Sequence, residues 1–120
     1  MPLVSVRYRT GEIPNEFLVK LVSKLPGVVA SALDVGGQDP HKYVSAADIS
    51  IDPVAMGELY VSSYHLEIIV WANDFPERRA NLDKRKESVR LWVQSCLDEA
   101  GFATKGFVVL LLAPGAFGEI

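Results

Sequence analysis

Apolar and polar residues alternate from the start of the chain. Pro2, Val4, Val6 and Tyr8 share one face, and Leu3, Ser5, Arg7 and Arg9 share the other, which is the two-residue period of a strand. Gly11 ends it. Ile13-Pro14-Asn15-Glu16 then has the composition of a helix start, with proline accommodated in the first turn. From Phe17 the apolar period lengthens to that of a helix, through Leu18, Leu21, Val22, Leu25, Val28, Val29, Ala32 and Leu33. Pro26-Gly27 interrupts this stripe and predicts a kink or break, because proline cannot donate to the carbonyl of Val22. Gly36 to Pro40 is a loop by its turn chemistry.

Tyr43 to Ile51 predicts a second strand stopped by Asp52-Pro53, and Met56-Gly57 predicts a turn. Leu59 to Trp71, rich in Tyr, Val and Ile, predicts a long third strand. Asp74 and Glu77 have the spacing of a capping box. The second helix should run from there to Ala100, about 37 Å, with Gly101 as its stop. Ala80, Val89, Trp92, Val93, Cys96, Leu97 and Ala100 mark its inward face. Phe107 to Leu112 is apolar throughout, as in a strand buried on both sides, and Ala113 to Ile120 is a Gly/Pro-containing tail.

The expected architecture is α+β. Residues 1–120 form a single domain with a pseudo-repeat, 1–57 and 58–120, of two consecutive β-α-β units. Together they make a four-stranded mixed sheet with two helices on one face. The other sheet face needs a cover, and in a chain that is 49% hydrophobic the expected cover is another subunit. The same element order also fits a ferredoxin-like ligand-binding domain.

Composition narrows the function classes. The 120 residues carry 12 Lys and Arg against 15 Asp and Glu, a formal charge of -3. An acidic chain is poorly suited to a nucleic-acid backbone. Glu77 to Arg90 is locally basic, with six positive and three negative side chains, and reads as a solvated face. Cys96 is the single cysteine, so no intrachain disulfide or cysteine-cluster metal site is expected. His41 and His65 have no acidic ligand at motif spacing, so no metal is expected either. The start has no long apolar core of a secretory signal, and Phe107 to Ala113 falls short of the ~18 residues of a membrane helix. The expectation is a cytoplasmic protein with no membrane partner.

Pro2 is the main candidate for chemistry. An initiator methionine is normally removed ahead of a small residue, and the product would carry a free prolyl amine at the start of a strand. Burial or neighbouring cations lower the pKa of such an amine toward that of a general base. A strand beginning at Pro2 and followed by two β-α-β units resembles the tautomerase superfamily. Met1-Pro2-Leu3-Val4 matches its opening. Ile13-Pro14-Asn15-Glu16-Phe17-Leu18 is similar to the helix entry of the migration inhibitory factor group, and Tyr43 with Ala55-Met56-Gly57 to residues framing that group's second strand. The resemblance implies Pro2 catalysis on a small 2-oxo acid, enol or unsaturated acid, a homotrimer, a pocket at a subunit boundary and no cofactor.

The chain departs from the family's carboxylate binders. Gly11-Glu12 stands in place of a Gly-Arg pair, Ala46-Ala47 where a second-strand arginine falls, and Asp39 in place of a lysine. Trp71 to Phe75 lacks the loop arginines of other members. The replacement substrate-binding candidates are Tyr43, as proton donor or packing residue, Trp71 as pocket wall or interface aromatic, Asn73 as oxyanion donor, and Arg78. Arg7 and Arg9 are expected to pair with acids such as Asp48 or Glu67 in a subunit seam. The missing binders also leave open a catalytically weak trimer that acts by binding.

Overall fold

A computed structural model describes residues 2–36, 44–101, 103–114 and 120. Its elements are β1 (Leu3–Tyr8), α1 (Asn15–Leu33), a short 3-10 turn (Ala46–Asp48), β2 (Ser50–Ala55), β3 (Leu66–Asn73), α2 (Pro76–Arg79), α3 (Leu82–Ala100) and β4 (Gly106–Ala113). The strands form one mixed sheet in the order β2-β1-β3-β4. β1 and β2 run parallel, as do β3 and β4, and antiparallel β1 and β3 join the halves. Each β-α-β unit therefore keeps its two strands adjacent. The ferredoxin-like arrangement splits its units with intervening strands, so this order sets that alternative aside.

Val4 and Val6 of β1, Leu66, Ile68, Val70 and Ala72 of β3 and Leu110 of β4 face the helices and form one buried cluster with α1 and α3. The opposite face stays open: Leu3, Trp71 and Leu111 are exposed. The expected burial of β4 on both sides does not hold. β4 is an edge strand, with Leu110 covered by helix and Leu111 facing out.

α1 runs without interruption through Pro26, against the predicted break. Proline in a helix interior costs about 3 kcal/mol and glycine about 1. Against this, α1 buries Phe17, Leu18, Leu21, Leu25, Val29 and Leu33, each contributing about 1.5–3 kcal/mol. Continuous burial outweighs the local defect.

The strand boundaries also shift. β2 begins after most of the predicted second strand and passes through Asp52-Pro53. Ser50 N–H donates to Pro2 O (3.2 Å) and Met56 N–H to Tyr8 O (2.8 Å). On that two-residue alternation position 53 presents its nitrogen away from β1, where an edge strand tolerates proline. β3 starts at Leu66 rather than Leu59, because pairing with β1 begins at Tyr8↔Leu66 and, among the described residues, no strand pairs with 59–65.

The predicted single second helix is two. Phe75, not Asp74, is the N-cap of α2, and Asp74 instead pairs with Arg79 Nε at 2.8 Å. Ala80 is exposed between the helices, and Ala100 is exposed at the end of α3. The buried face of α3 is Val89, Val93 and Leu97, with Trp92 and Cys96 half-buried. Gly101 stops α3 as expected, in the left-handed region at φ 78°.

Two glycines should respond oppositely to alanine. A Cβ at Gly106 would lie 2.8 Å from the Leu66 carbonyl oxygen, whereas one at helical Gly27 would meet nothing within 4 Å. Chemical denaturation should show Gly106→Ala losing about 1–3 kcal/mol and Gly27→Ala gaining about 1 kcal/mol.

Candidate functional site

Pro2 lies at the start of the central strand and is buried. Its carbonyl is held by the backbone of Ser50. In the antiparallel register Leu3 faces Trp71, so the last residues of β3, Ala72 and Asn73, run alongside Pro2. Pro2, Trp71 and Asn73 thus lie at the same end of the sheet. By alternation the Pro2 ring shares the helix-side face with Val4, and Trp71 shares the open face with Leu3. A strand nitrogen lies in the sheet plane and is not confined to either face.

Arg78 reaches the same end from below. It is 1% exposed, so the expected solvated face does not include it. Its Nε–H donates to Leu33 O at 3.1 Å and Nη1–H to Asn73 O at 3.0 Å. The guanidinium carbon also sits 4.7 Å from the Phe75 ring centroid, a cation–π contact. Burial pulls its pKa below the ordinary arginine value, the charge of Arg85 adds to this, and Asp34 and Glu77 oppose it. Arg78 remains a cation, committed to backbone carbonyls of the α1 terminus and the β3 end. It fixes the main chain at Asn73. Arg85 continues the arrangement, donating to Ala32 O (3.0 Å) and Asp34 O (2.7 Å). Cations at a helix C-terminus oppose the negative end of its dipole.

Asp48 is an acid at this end that sequence reasoning did not place in the site. It lies two residues before Ser50, the partner of Pro2. Its carboxylate accepts from Ser45 N–H (2.9 Å) and Oγ–H (3.1 Å). The backbone bond most of all, then the hydroxyl, hold its pKa below the usual carboxylate value against some desolvation. The signal available was the Ser45-x-x-Asp48 spacing, itself a capping pattern.

Tyr43 and His41 lie outside the described residues. Arg7 and Glu67 face each other across β1 and β3, but Glu67 accepts hydroxyls from Tyr60 (2.8 Å) and Ser62 (2.7 Å), while Arg7 lies 5.6 Å over the Tyr60 ring. Arg9 donates to the carbonyls of Tyr60 and Ser62. Asp48 is occupied by Ser45 on its own turn. A separate groove of about 550 Å³ between α1 and α3 is lined by Phe17, Leu21, Trp92 and Cys96 and holds none of the predicted site residues. Burial first, and Glu99 second, push the Cys96 thiol up, away from the reactive thiolate, with Lys24 opposing. Among the described residues no group of three or more His, Cys, Asp or Glu comes together as metal ligands, and no helix is long and apolar enough to cross a membrane.

No family model and no curated protein matches this chain. Solved structures do. A macrophage migration inhibitory factor-like protein from Entamoeba histolytica is similar at TM-score 0.56 and 9% identity, over 95% of this chain and 90% of the other. Pt0534, solved after inactivation by 2-oxo-3-pentynoate, is similar at TM-score 0.54 and 12% identity, over 92% and 85%. Malonate semialdehyde decarboxylase is similar at TM-score 0.50 and 12% identity, over 98% and 91%. The fold is that of the tautomerase superfamily.

Two measurements test the local electrostatics. Arg78→Ala should cost about 3 kcal/mol in chemical denaturation, since it strands one buried and one part-buried carbonyl. Arg78→Lys should recover less than half, because an ammonium lacks the planar fork. In an NMR titration Asp48 should ionise below the ordinary carboxylate range, and Ser45→Ala should move it part of the way back. A depressed carboxylate contributes stability above its unfolded pKa and loses it as pH falls through the lower folded value.

Proposed function

We propose that this chain, with its tautomerase-superfamily fold, is a cofactor-independent tautomerase or isomerase whose general base is the amine of Pro2 after removal of Met1. The observation that carries the reading is a buried proline immediately before β1, beside the end of β3. The amine takes a proton from a carbon next to a carbonyl, or from an enol oxygen, and returns it to another carbon of the same molecule. Asn73 hydrogen-bonds the oxygen on which charge develops, Trp71 walls the substrate, and Arg78 positions the backbone beneath Asn73. The substrate is a small 2-oxo acid, enol or unsaturated acid.

Two similar proteins support this chemistry. Pt0534 is inactivated by a 2-oxo compound. Malonate semialdehyde decarboxylase has been solved with its first-position proline changed to alanine and in inactivated form. A fused 4-OT protein, similar at TM-score 0.50 and 18% identity, is a symmetric trimer. The proposal includes a homotrimer in the cytoplasm, with the open sheet faces covered by neighbouring subunits. The engagement of Arg78 by two carbonyls favours one second reading, a trimer of the same fold that binds small molecules without turnover.

Intact mass of the native protein should show loss of Met1. Ketonisation of phenylpyruvate or 2-hydroxymuconate should be catalysed by the wild type. Pro2→Ala should lower the rate by about 10²–10⁴-fold. Equal rates would remove Pro2 from the mechanism, and absence of turnover across a panel of enols and unsaturated acids would favour the binding reading.

A further inference from the structure

We propose that the groove between α1 and α3 binds a short apolar peptide with both termini free, its ammonium at the Glu16 and Glu99 end and its carboxylate at Lys20 and Lys24. The proposal is independent of the Pro2 reading. The groove lies on the helix layer, across the sheet from the open face, so subunits that cover that face leave it accessible.

The topology gives the groove a direction. β1 and β3 are antiparallel, and α1 and α3 each return from one of them to a parallel neighbour, so the two helices also run antiparallel. α3 ends at Ala100, shortly before β4 begins beside Leu66. Leu66 in turn faces Tyr8, from which the chain passes into α1. The start of α1 and the end of α3 therefore sit at the same end of the molecule. Glu16 and Glu99 line the groove there, one from each wall. Lys20 and Lys24 follow along α1, one and two turns on, about 6 and 12 Å from Glu16. The groove is thus acidic at one end and basic beyond it.

Between the charges the floor is apolar. Phe17 and Leu21 come from α1, and Trp92 and half-buried Cys96 from α3. The Cys96 thiol stays neutral, because burial raises its pKa. The four charged side chains are exposed, and among the described residues none of them has an ion-pair partner within 4 Å. Two lysines one turn apart repel each other, and a bound anion relieves that repulsion. Opposite charges held apart over an apolar floor complement a molecule with both charges at the ends of an apolar body. At about 550 Å³ the groove is within the size range of small-ligand sites. An extended tripeptide is about 10 Å long, which matches the separation of the acidic and basic ends. A free amino acid carries both charges on one carbon and cannot reach both. A fatty acid would leave Glu16 and Glu99 unanswered.

Isothermal calorimetry with trileucine tests the site. The wild type should take up one trileucine per chain, with an affinity that falls as salt rises. N-acetyl-trileucine and trileucine amide should each bind about 3–5-fold more weakly, the effect of one exposed ion pair. Lys20→Gln/Lys24→Gln should weaken trileucine as much as amidation does, and should no longer distinguish the peptide from its amide. Glu16→Gln/Glu99→Gln should do the same for the acetylated form. In a Trp71→Phe chain, where Trp92 is the only tryptophan left of two, the peptide should shift the fluorescence. No saturable binding of trileucine, or equal binding of the peptide blocked at both ends, would overturn the proposal. So would hexanoate binding as tightly as trileucine, which would make the groove a site for an aliphatic carboxylate. Pro2→Ala should bind trileucine as the wild type does, so a failure of the catalytic reading is distinguishable from a failure of this one.

Discussion

The antiparallel pairing of β1 with β3 is the constraint from which the rest of this molecule follows. Six register pairs, from Leu3↔Trp71 to Tyr8↔Leu66, join two β-α-β units that otherwise share no strand. The pairing places Pro2 against the end of β3 and so creates the candidate site. It also limits β3, whose register with β1 ends at Tyr8↔Leu66, with His65 bonded just beyond it to Arg9 and Lys105. The segment before that bonds to Glu67, and Leu59 and Val61 turn outward.

A strand period was legible at β1, because one face is covered by helices and the other is not: Val4 and Val6 are buried while Leu3 is exposed. The helical stripe from Phe17 to Leu33 was legible for the same reason. Its proline was misleading, since local propensity cannot register six buried apolar contacts on the same helix. In β2 the mistake had the opposite origin. Asp52-Pro53 reads as a stop on local grounds, yet an edge strand has one row of amides that nothing in the sheet uses. The apolar run of β4 suggested two covered faces. Half of that apolarity is an open face awaiting a neighbour in the proposed assembly.

Arg78 was the least legible residue. In a run of nine charged side chains between Glu77 and Arg90 it looks like its neighbours. In α2 it points inward, where it meets the carbonyls of Leu33 and Asn73. Burying a guanidinium is favourable only when its donors are satisfied, and the C-terminal carbonyls of α1 are acceptors that the helix itself leaves unused. The same cation therefore closes α1 and holds the end of β3. This is why the arginine nearest the candidate site is committed to structure.

That commitment bears on how the proposed base would work. An amine is a useful base near neutral pH only if its ammonium form is disfavoured. Cations close to the amine do this in some sites, but the positive charge of Arg78 is directed at carbonyl oxygens. In the proposed mechanism burial is the influence that disfavours the ammonium form. Pro2 is already buried in the single chain, and in the proposed trimer neighbouring subunits over the open sheet face would further exclude water from its edge. In this reading assembly is part of the acid–base chemistry: the contact that covers the open sheet face also makes the amine at its edge a better base.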